Sequence, residues 1–305
     1  MSPIFGWKVL YLKNKKLSGY TIFLTCNNIF LIILALVCLL PFIHMIAVSF
    51  SNSIAVDTGQ VSFWPVNFTT TSYEYVLKTS AFGKALLVSI ERVTLGVPFS
   101  MLLTIMIAYP LSKESRVFFG RTFYVWFFVL TILFGGGLIP FYIVVAKTGL
   151  VNSLLSLVIP SSVQVFNVLI LMNFFRQLPK EIEEAAFIDG AGQMAVMWRI
   201  YVPLSKPALA TLVLFTIVYH WNSWFDGLIF MNLPDKYPLQ TYLQNIVSVR
   251  NMVNISADQV SILTKMNNST QLAVQIILAS IPILIAYPFL QRYFAKGIVL
   301  GSVKG

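Results

Sequence analysis

Six stretches of nearly unbroken apolar residues dominate the chain, at approximately 26–50, 82–111, 118–146, 152–176, 206–230 and 271–294. Each is long enough to cross a hydrocarbon core about 30 Å thick, which takes roughly 20 helical residues at about 1.5 Å each. They are solid runs, not the short alternating segments of a membrane β-barrel. Pro41 and His44 interrupt the first and Pro282 and Pro288 the last, as helices in bundles tolerate. The pattern predicts an all-α membrane protein of six transmembrane helices. A segment 1–25 precedes the first helix and external loop (26–81), a core of helices 2–6 fills 82–294, and a tail occupies 295–305.

Composition supports this: 57% of the 305 residues are apolar and 10% charged, against roughly 25% charged in an average soluble chain. The net charge of +10 is carried by so few groups that no continuous nucleic-acid stripe can be drawn. It reports topology instead, because cytoplasmic connections collect Lys and Arg. Lys8, Lys13, Lys15, Lys16, Lys113, Arg116, Arg121, Arg176, Lys180, Arg199, Lys206, Arg292, Lys296 and Lys304 fall on one side. The other side has Lys78, Lys84, Lys147, Lys236, Arg250 and Lys265. Both termini are therefore expected in the cytoplasm. The N-terminus reads as no signal peptide, since apolar character begins after residue 20 without a cleavage site beyond the first span. Trp7, Leu10, Tyr11 and Leu12 beside four lysines suit either an interfacial segment on the inner leaflet or a disordered tail.

Several chemistries find no support. Cys26 and Cys38 lie twelve residues apart in one helix, about 18 Å along its axis and too far for a disulfide. His44 and His220 occupy different spans with no ligand-spaced partners, so no metal site is expected. Gly135, Gly136 and Gly137 lack the Lys of a phosphate loop, and the chain is expected not to hydrolyse ATP. Asn67, Asn254 and Asn268 open acceptor triplets for glycosylation on external loops, a weak signal in a chain rich in Asn, Ser and Thr.

The longest cytoplasmic connection, 177–205, does more than turn the chain around. Pro179 can open a helix whose first turns carry Glu181, Glu183 and Glu184, where acidic groups favour the positive end of the helix dipole. Ile182, Ala185, Ala186 and Asp189 share one face, most of it small enough for another surface to approach. Gly190 and Gly192 permit a bend. Met194, Met197, Trp198 and Tyr201 then recur as one stripe of a second short helix. By physics alone this is either a hairpin packed on its own bundle or a docking surface.

Glu184, Ala185, Ala186, Gly190, Ile200 and Pro203 stand at the spacing of the EAA signature of bacterial ABC import permeases, with Val202 where that pattern has Leu. The flanking residues, with Phe134-Gly-Gly-Gly-Leu-Ile-Pro140, His220-Trp-Asn-Ser-Trp-Phe-Asp226 and Tyr287-Pro-Phe-Leu-Gln-Arg-Tyr-Phe-Ala-Lys-Gly297, resemble the MalG-like carbohydrate-uptake permeases, those of complex oligosaccharide and polysaccharide importers most. The resemblance runs from about residue 27 to the end. It implies a non-enzymatic permease in a prokaryotic cytoplasmic membrane, paired with a second homologous permease, an ATPase dimer that holds ATP and Mg, and an extracytoplasmic solute-binding protein. It also implies that the EAA helix between helices 4 and 5 is a coupling helix seated on the ATPase, through Glu184, Ala185, Ala186, Asp189, Gly190, Ile200 and Pro203.

A sugar path needs hydrogen-bonding groups and aromatic faces inside the bundle. Gln164, Asn167, Tyr219, Trp221, Asn222, Trp224 and Gln275 are the candidates, although each also suits an interface belt or an interhelical hydrogen bond. Asp226 suits a local cap or pair. Glu91 and Arg92, neighbours pointing about 100° apart on a helix, are expected to pair with other helices or reach the outer interface. The external connection 231–270 is long enough either to dock the binding protein or to form a lid. An ion-coupled secondary transporter is the rival reading, weakened by having only Glu91 as an intramembrane carboxylate and no visible repeat.

Overall fold

The computed structural model describes residues 19–252 and 269–302, and among them every regular element is a helix. The N-terminal segment before residue 19, the acceptor triplets at Asn254 and Asn268 and the distal part of the 231–270 connection lie outside the described residues. Two compact units divide at residues 69 and 70.

In the first unit, α1 (Gly19–Ser49) is apolar on every face and is covered by the chain only at Ala47, Val48 and Ser49. A helix hydrophobic all round needs an apolar solvent or partner protein. Both cysteines are free and exposed along it. His44 Nδ1 meets the Ser62 carbonyl at 2.6 Å. The short α2 (Ser53–Asp57) starts where the Asn52 side chain accepts the Ile54 N–H at 2.9 Å, a side-chain N-cap.

The second unit is built around α4 (Ser80–Ser112), preceded by α3 (Thr71–Lys78). The inner face of α4 is a stripe of small and polar residues: Ser89, Arg92, Gly96, Ser100, Thr104 and Ala108 are all buried. Leu87, Ile90, Leu95, Leu102 and Met106 point outward. This inversion of the soluble pattern follows from lipid as solvent, where helices associate through close approach and hydrogen bonds because burying Leu gains little. A Cβ on Gly96 would stand 2.8 Å from the His220 ring, so only glycine admits the helix that carries His220.

The third apolar stretch, expected as one helix, is α5 (Arg121–Leu133) and α6 (Leu138–Lys147), bent by 115° at a break. Gly137 at φ +83 and Pro140 one turn later explain it. The fourth becomes α7 (Leu155–Val158) and α8 (Val165–Arg176), separated around Pro160. After α9 (Lys180–Ile188), α10 (Gln193–Val196), a π turn (Met197–Tyr201) and α11 (Val202–Leu204), the chain bends 84° into α12 (Lys206–Asn222). The fifth stretch breaks at Ser223 before α13 (Phe225–Phe230). A 3₁₀ turn (Pro234–Lys236) and α14 (Leu239–Met252) follow, and α15 (Ser269–Ser302) closes the described chain, continuing into the expected C-terminal tail.

Among the described residues two helices, α1 and α4, are each long and apolar enough to cross a membrane, or up to four spans result if each bent pair is one. α8 and Ser269–Ile285 are shorter apolar helices. Met101, Ile105 and Tyr109 of α4, Leu171, Met172 and Phe175 of α8, and Val196, Met197 and Tyr201 form the largest buried cluster. A second joins Phe82, Trp221, Leu239, Val274 and Ala279.

Candidate functional site

The EAA segment forms an elbow whose two arms meet different surroundings. α9 begins after Pro179, with Glu181 and Glu183 in its first turn, and ends at Asp189 and Gly190, the latter at φ +81. Its outer face is uncovered: Ile182, Glu184, Ala185 and Asp189 are exposed, and Ile188 is 86% accessible. Ala186 turns inward against the large buried cluster. The second arm folds onto the bundle, yet not by the whole expected stripe. Val196, Met197 and Tyr201 are buried and Ile200 half-buried, while Met194 and Trp198 remain exposed. The π turn carries an extra residue and slips the register of that stripe. Pro203 is exposed within α11.

Lys113, the residue after α4, ties the elbow down. Its Nζ lies 2.6 Å from Glu183 Oε1 and 4.0 Å from the centroids of both the Tyr109 and Tyr201 rings. An ammonium between two ring faces gains cation–π attraction, most when shielded from water. The Tyr201 hydroxyl donates to the other Glu183 oxygen, and the Tyr109 hydroxyl donates to Gln193 Oε1 at 2.7 Å. Burial holds the Lys113 pKa below its usual value, against the opposing pull of Glu183. Burial, then the Glu183 carboxylate, pushes the Tyr201 phenol up, so it remains a donor. Beside this cage opens a cleft of about 670 Å³, lined by Arg121, Arg176, Lys180 and Glu184 among others. Lys180 pairs with Glu114 at its exposed rim. Arg121 Nε caps α4 by donating to the Leu111 carbonyl at 2.8 Å. Sequence reasoning missed this cage: Lys113 and Tyr109 stand only four positions apart, but Glu183, Gln193 and Tyr201, which complete it, lie some 70 to 90 positions away.

The structure divides the seven path candidates into two sets. On one side Asn167 is buried and donates to Gln164 Oε1 at 2.7 Å and Thr216 Oγ1 at 3.3 Å, bridging α8 to α12. Tyr219, half-exposed, meets Ser161, which precedes Gln164 by three residues. On the other, Trp221 is buried with its indole N–H on the Ala279 carbonyl at 3.0 Å, and Gln275 is buried with Oε1 unpartnered. Asn222 and Trp224 are exposed. Trp224 joins Gln240, Gln244 and Ser280 around a cavity of about 220 Å³. The α14 residues of this group had no sequence signal.

Arg92 does pair with another helix. Its guanidinium is fully buried and engages both carboxylate oxygens of Asp226, and Nη1 donates to the Ser223 carbonyl at 3.2 Å. Asp226 also accepts from Ser223 Oγ at 3.1 Å and Gly227 N at 2.9 Å. The pair pins the break between α12 and α13. No group of three or more His, Cys, Asp or Glu able to hold a metal occurs among the described residues.

Comparison with known proteins supplies the family. Residues 75–300 match the family model described as "Binding-protein-dependent transport system inner membrane component". The chain is 38% identical over 276 residues to the polygalacturonan/rhamnogalacturonan transport system permease protein YtcP of Bacillus subtilis (strain 168), covering 90% of this chain and 96% of that one. It is likewise 38% identical over 284 residues to Protein LplC of the same organism, covering 93% and 95%. Its fold superposes with a TM-score of 0.81, at 30% identity, on a chain from the crystal structure of a bacterial ABC transporter involved in the import of the acidic polysaccharide alginate, covering 92% of this chain and all of that one. With three-quarters of its length matched by the family model and relatives aligned nearly end to end, the chain belongs to the family of inner membrane components of binding-protein-dependent transport systems: it is a permease subunit, not an enzyme, and its ATPase is a separate chain.

Proposed function

We propose that this permease is one half of the membrane channel of an ATP-driven importer of oligosaccharides from complex polysaccharides, receiving sugar from an extracytoplasmic binding protein and moving it by alternating access. The single observation that carries the reading is the state of α9. Its inner edge is clamped to the bundle through Glu183, while its outer face, ending in Ile188, is left bare on the side that the Lys and Arg count assigns to the cytoplasm. A helix held this way can move with whatever grips it. The relatives named for polygalacturonan/rhamnogalacturonan transport and for alginate import support the substrate class. In this reading a homologous permease, an ATPase dimer with ATP and Mg, and a bacterial cytoplasmic membrane with both termini inside complete the assembly. Asp226, in the fifth apolar stretch, is committed to Arg92, which leaves Glu91 as the carboxylate an ion-coupled carrier would have to use.

The test is reconstitution of the full complex in proteoliposomes with Ile188→Cys in an otherwise cysteine-free chain. The expected result is cross-linking of α9 to the ATPase together with ATP-dependent sugar uptake. Glu184→Lys, which reverses an exposed charge, and Gly190→Pro, which cannot adopt φ +81, should insert normally and lower uptake at least about tenfold. Uptake driven by an ion gradient without ATP refutes the proposal.

A further inference from the structure

We propose that Lys113 is the positioning residue through which movement of α9 reaches the transmembrane bundle. The inference rests on α9 being the lever gripped by the ATPase, and adds the joint by which that lever acts.

α9 touches the rest of its chain sparingly. Within its nine residues only Glu183 and Ala186 are even half-buried. Its covalent ends touch the bundle through one half-buried apolar side chain each, Leu178 upstream between the exposed Gln177 and Pro179 and Ala191 downstream between Gly190 and Gly192, and neither contact is directional. The outlying pair Lys180–Glu114 has both side chains more than half exposed, at 67% and 57%, where solvent screening leaves an ion pair little strength. Lys113–Glu183 is the opposite case, with side chains 8% and 14% exposed.

The geometry around this ammonium is that of a stiff joint. Nζ is held from one side by the Glu183 carboxylate and from two others by the Tyr109 and Tyr201 rings, each 4.0 Å away. Those rings meet edge to face at 5.0 Å, and both pack edge-on against Phe175 of α8, at 6.5 and 5.4 Å. One cation therefore fixes the end of α4, the middle of α9 and the π turn, with α8 as backing. Because a charge-assisted bond is short and strong, and because two rings confine this ammonium on its other sides, a push on α9 displaces Lys113 and with it α4, which packs along its buried stripe against α8 and α12.

The experiment uses the complete complex, with permease pair, ATPase and binding protein, in proteoliposomes. Sugar taken up per ATP hydrolysed is measured for the parent, Lys113→Gln and Lys113→Arg. α9–ATPase cross-linking through Ile188→Cys is recorded in each. Lys113→Gln is expected to cross-link as the parent does and to move about tenfold fewer sugars per ATP. Lys113→Arg, which retains the charge and the ring stacking, should restore most of the ratio, a recovery that a mere space-filling role does not require. A Lys113→Gln complex that cross-links and keeps the parental ratio overturns this inference and leaves the lever reading intact. Absence of cross-linking in the parent overturns the lever reading, and this one with it. An equal loss in Lys113→Gln and Lys113→Arg also overturns it, since the joint needs the cation.

Discussion

Asp226→Ala should be among the most destabilising single substitutions in the second unit. The Arg92 side chain is 0% exposed. Without the carboxylate it retains only the Ser223 carbonyl at 3.2 Å, and Nε already has no partner. Removing one member of a buried pair costs about 3–5 kcal/mol, because the survivor is left desolvated and uncompensated. At about 1.4 kcal/mol per tenfold this is roughly two to three and a half powers of ten in the folding equilibrium. The same reasoning gives a second limb. Replacing both members with apolar side chains, as Arg92→Met with Asp226→Leu, removes the orphaned charge along with the pair and should recover most of the loss. The assay is equilibrium unfolding of the purified permease in mixed micelles, followed by tryptophan fluorescence. An Asp226→Ala protein within about 1 kcal/mol of the parent refutes the argument, and so does a double variant as unstable as the single one.

Three further outcomes are expected. Gly96→Ala places a methyl 2.8 Å from the buried His220 ring, which must shift to admit it, so overpacking should cost about 1–3 kcal/mol in the same assay. Burial lowers the Lys113 pKa below that of its unfolded state. Between the two values the folded protein binds fewer protons, so the penalty of burying the cation is relieved as pH rises, while the charge that joins Glu183 is lost. Sugar moved per ATP should therefore fall at alkaline pH in the parent and hold in Lys113→Arg, with uptake and hydrolysis measured in parallel. Trp224→Ala, at the 220 Å³ cavity, should raise the apparent KM for uptake more than it lowers the maximal rate, while Trp221→Ala, whose indole is buried on Ala279, should lower the amount of folded protein instead.

The helical class and the EAA elbow were legible because both are written in local spacing: runs of apolar residues, a proline that opens α9, and a glycine that ends it. Interruptions were harder to read. Gly135, Gly136, Gly137 and Pro160 stand within apolar runs, and hydropathy averages over them, so α5 and α6 read as one helix. Sequence named Arg92 as needing a partner and Asp226 as available, yet pairing them requires knowing that α4 and the end of α12 approach, 134 positions apart. Lys113 was counted only as a topological charge. Its place against Glu183 and the Tyr201 ring is a product of the tertiary fold, as is the π turn at Met197–Tyr201, within which Trp198 stays exposed. The path candidates show the same boundary: composition identified Asn167 and Trp221 as polar or aromatic in lipid, and the fold spends both on holding helices together.

The glycine break between α5 and α6 has a bearing on how the cell must handle this chain. Residues 134–137 are non-helical and fully uncovered, and peptide groups bare to hydrocarbon are expensive enough that lipid-exposed loops do not occur at that depth. A copy inserted without companions is thus an unfinished object. The expected consequence is faster turnover for a copy made alone than for one made within its complex, which pulse-chase labelling of the two reads directly.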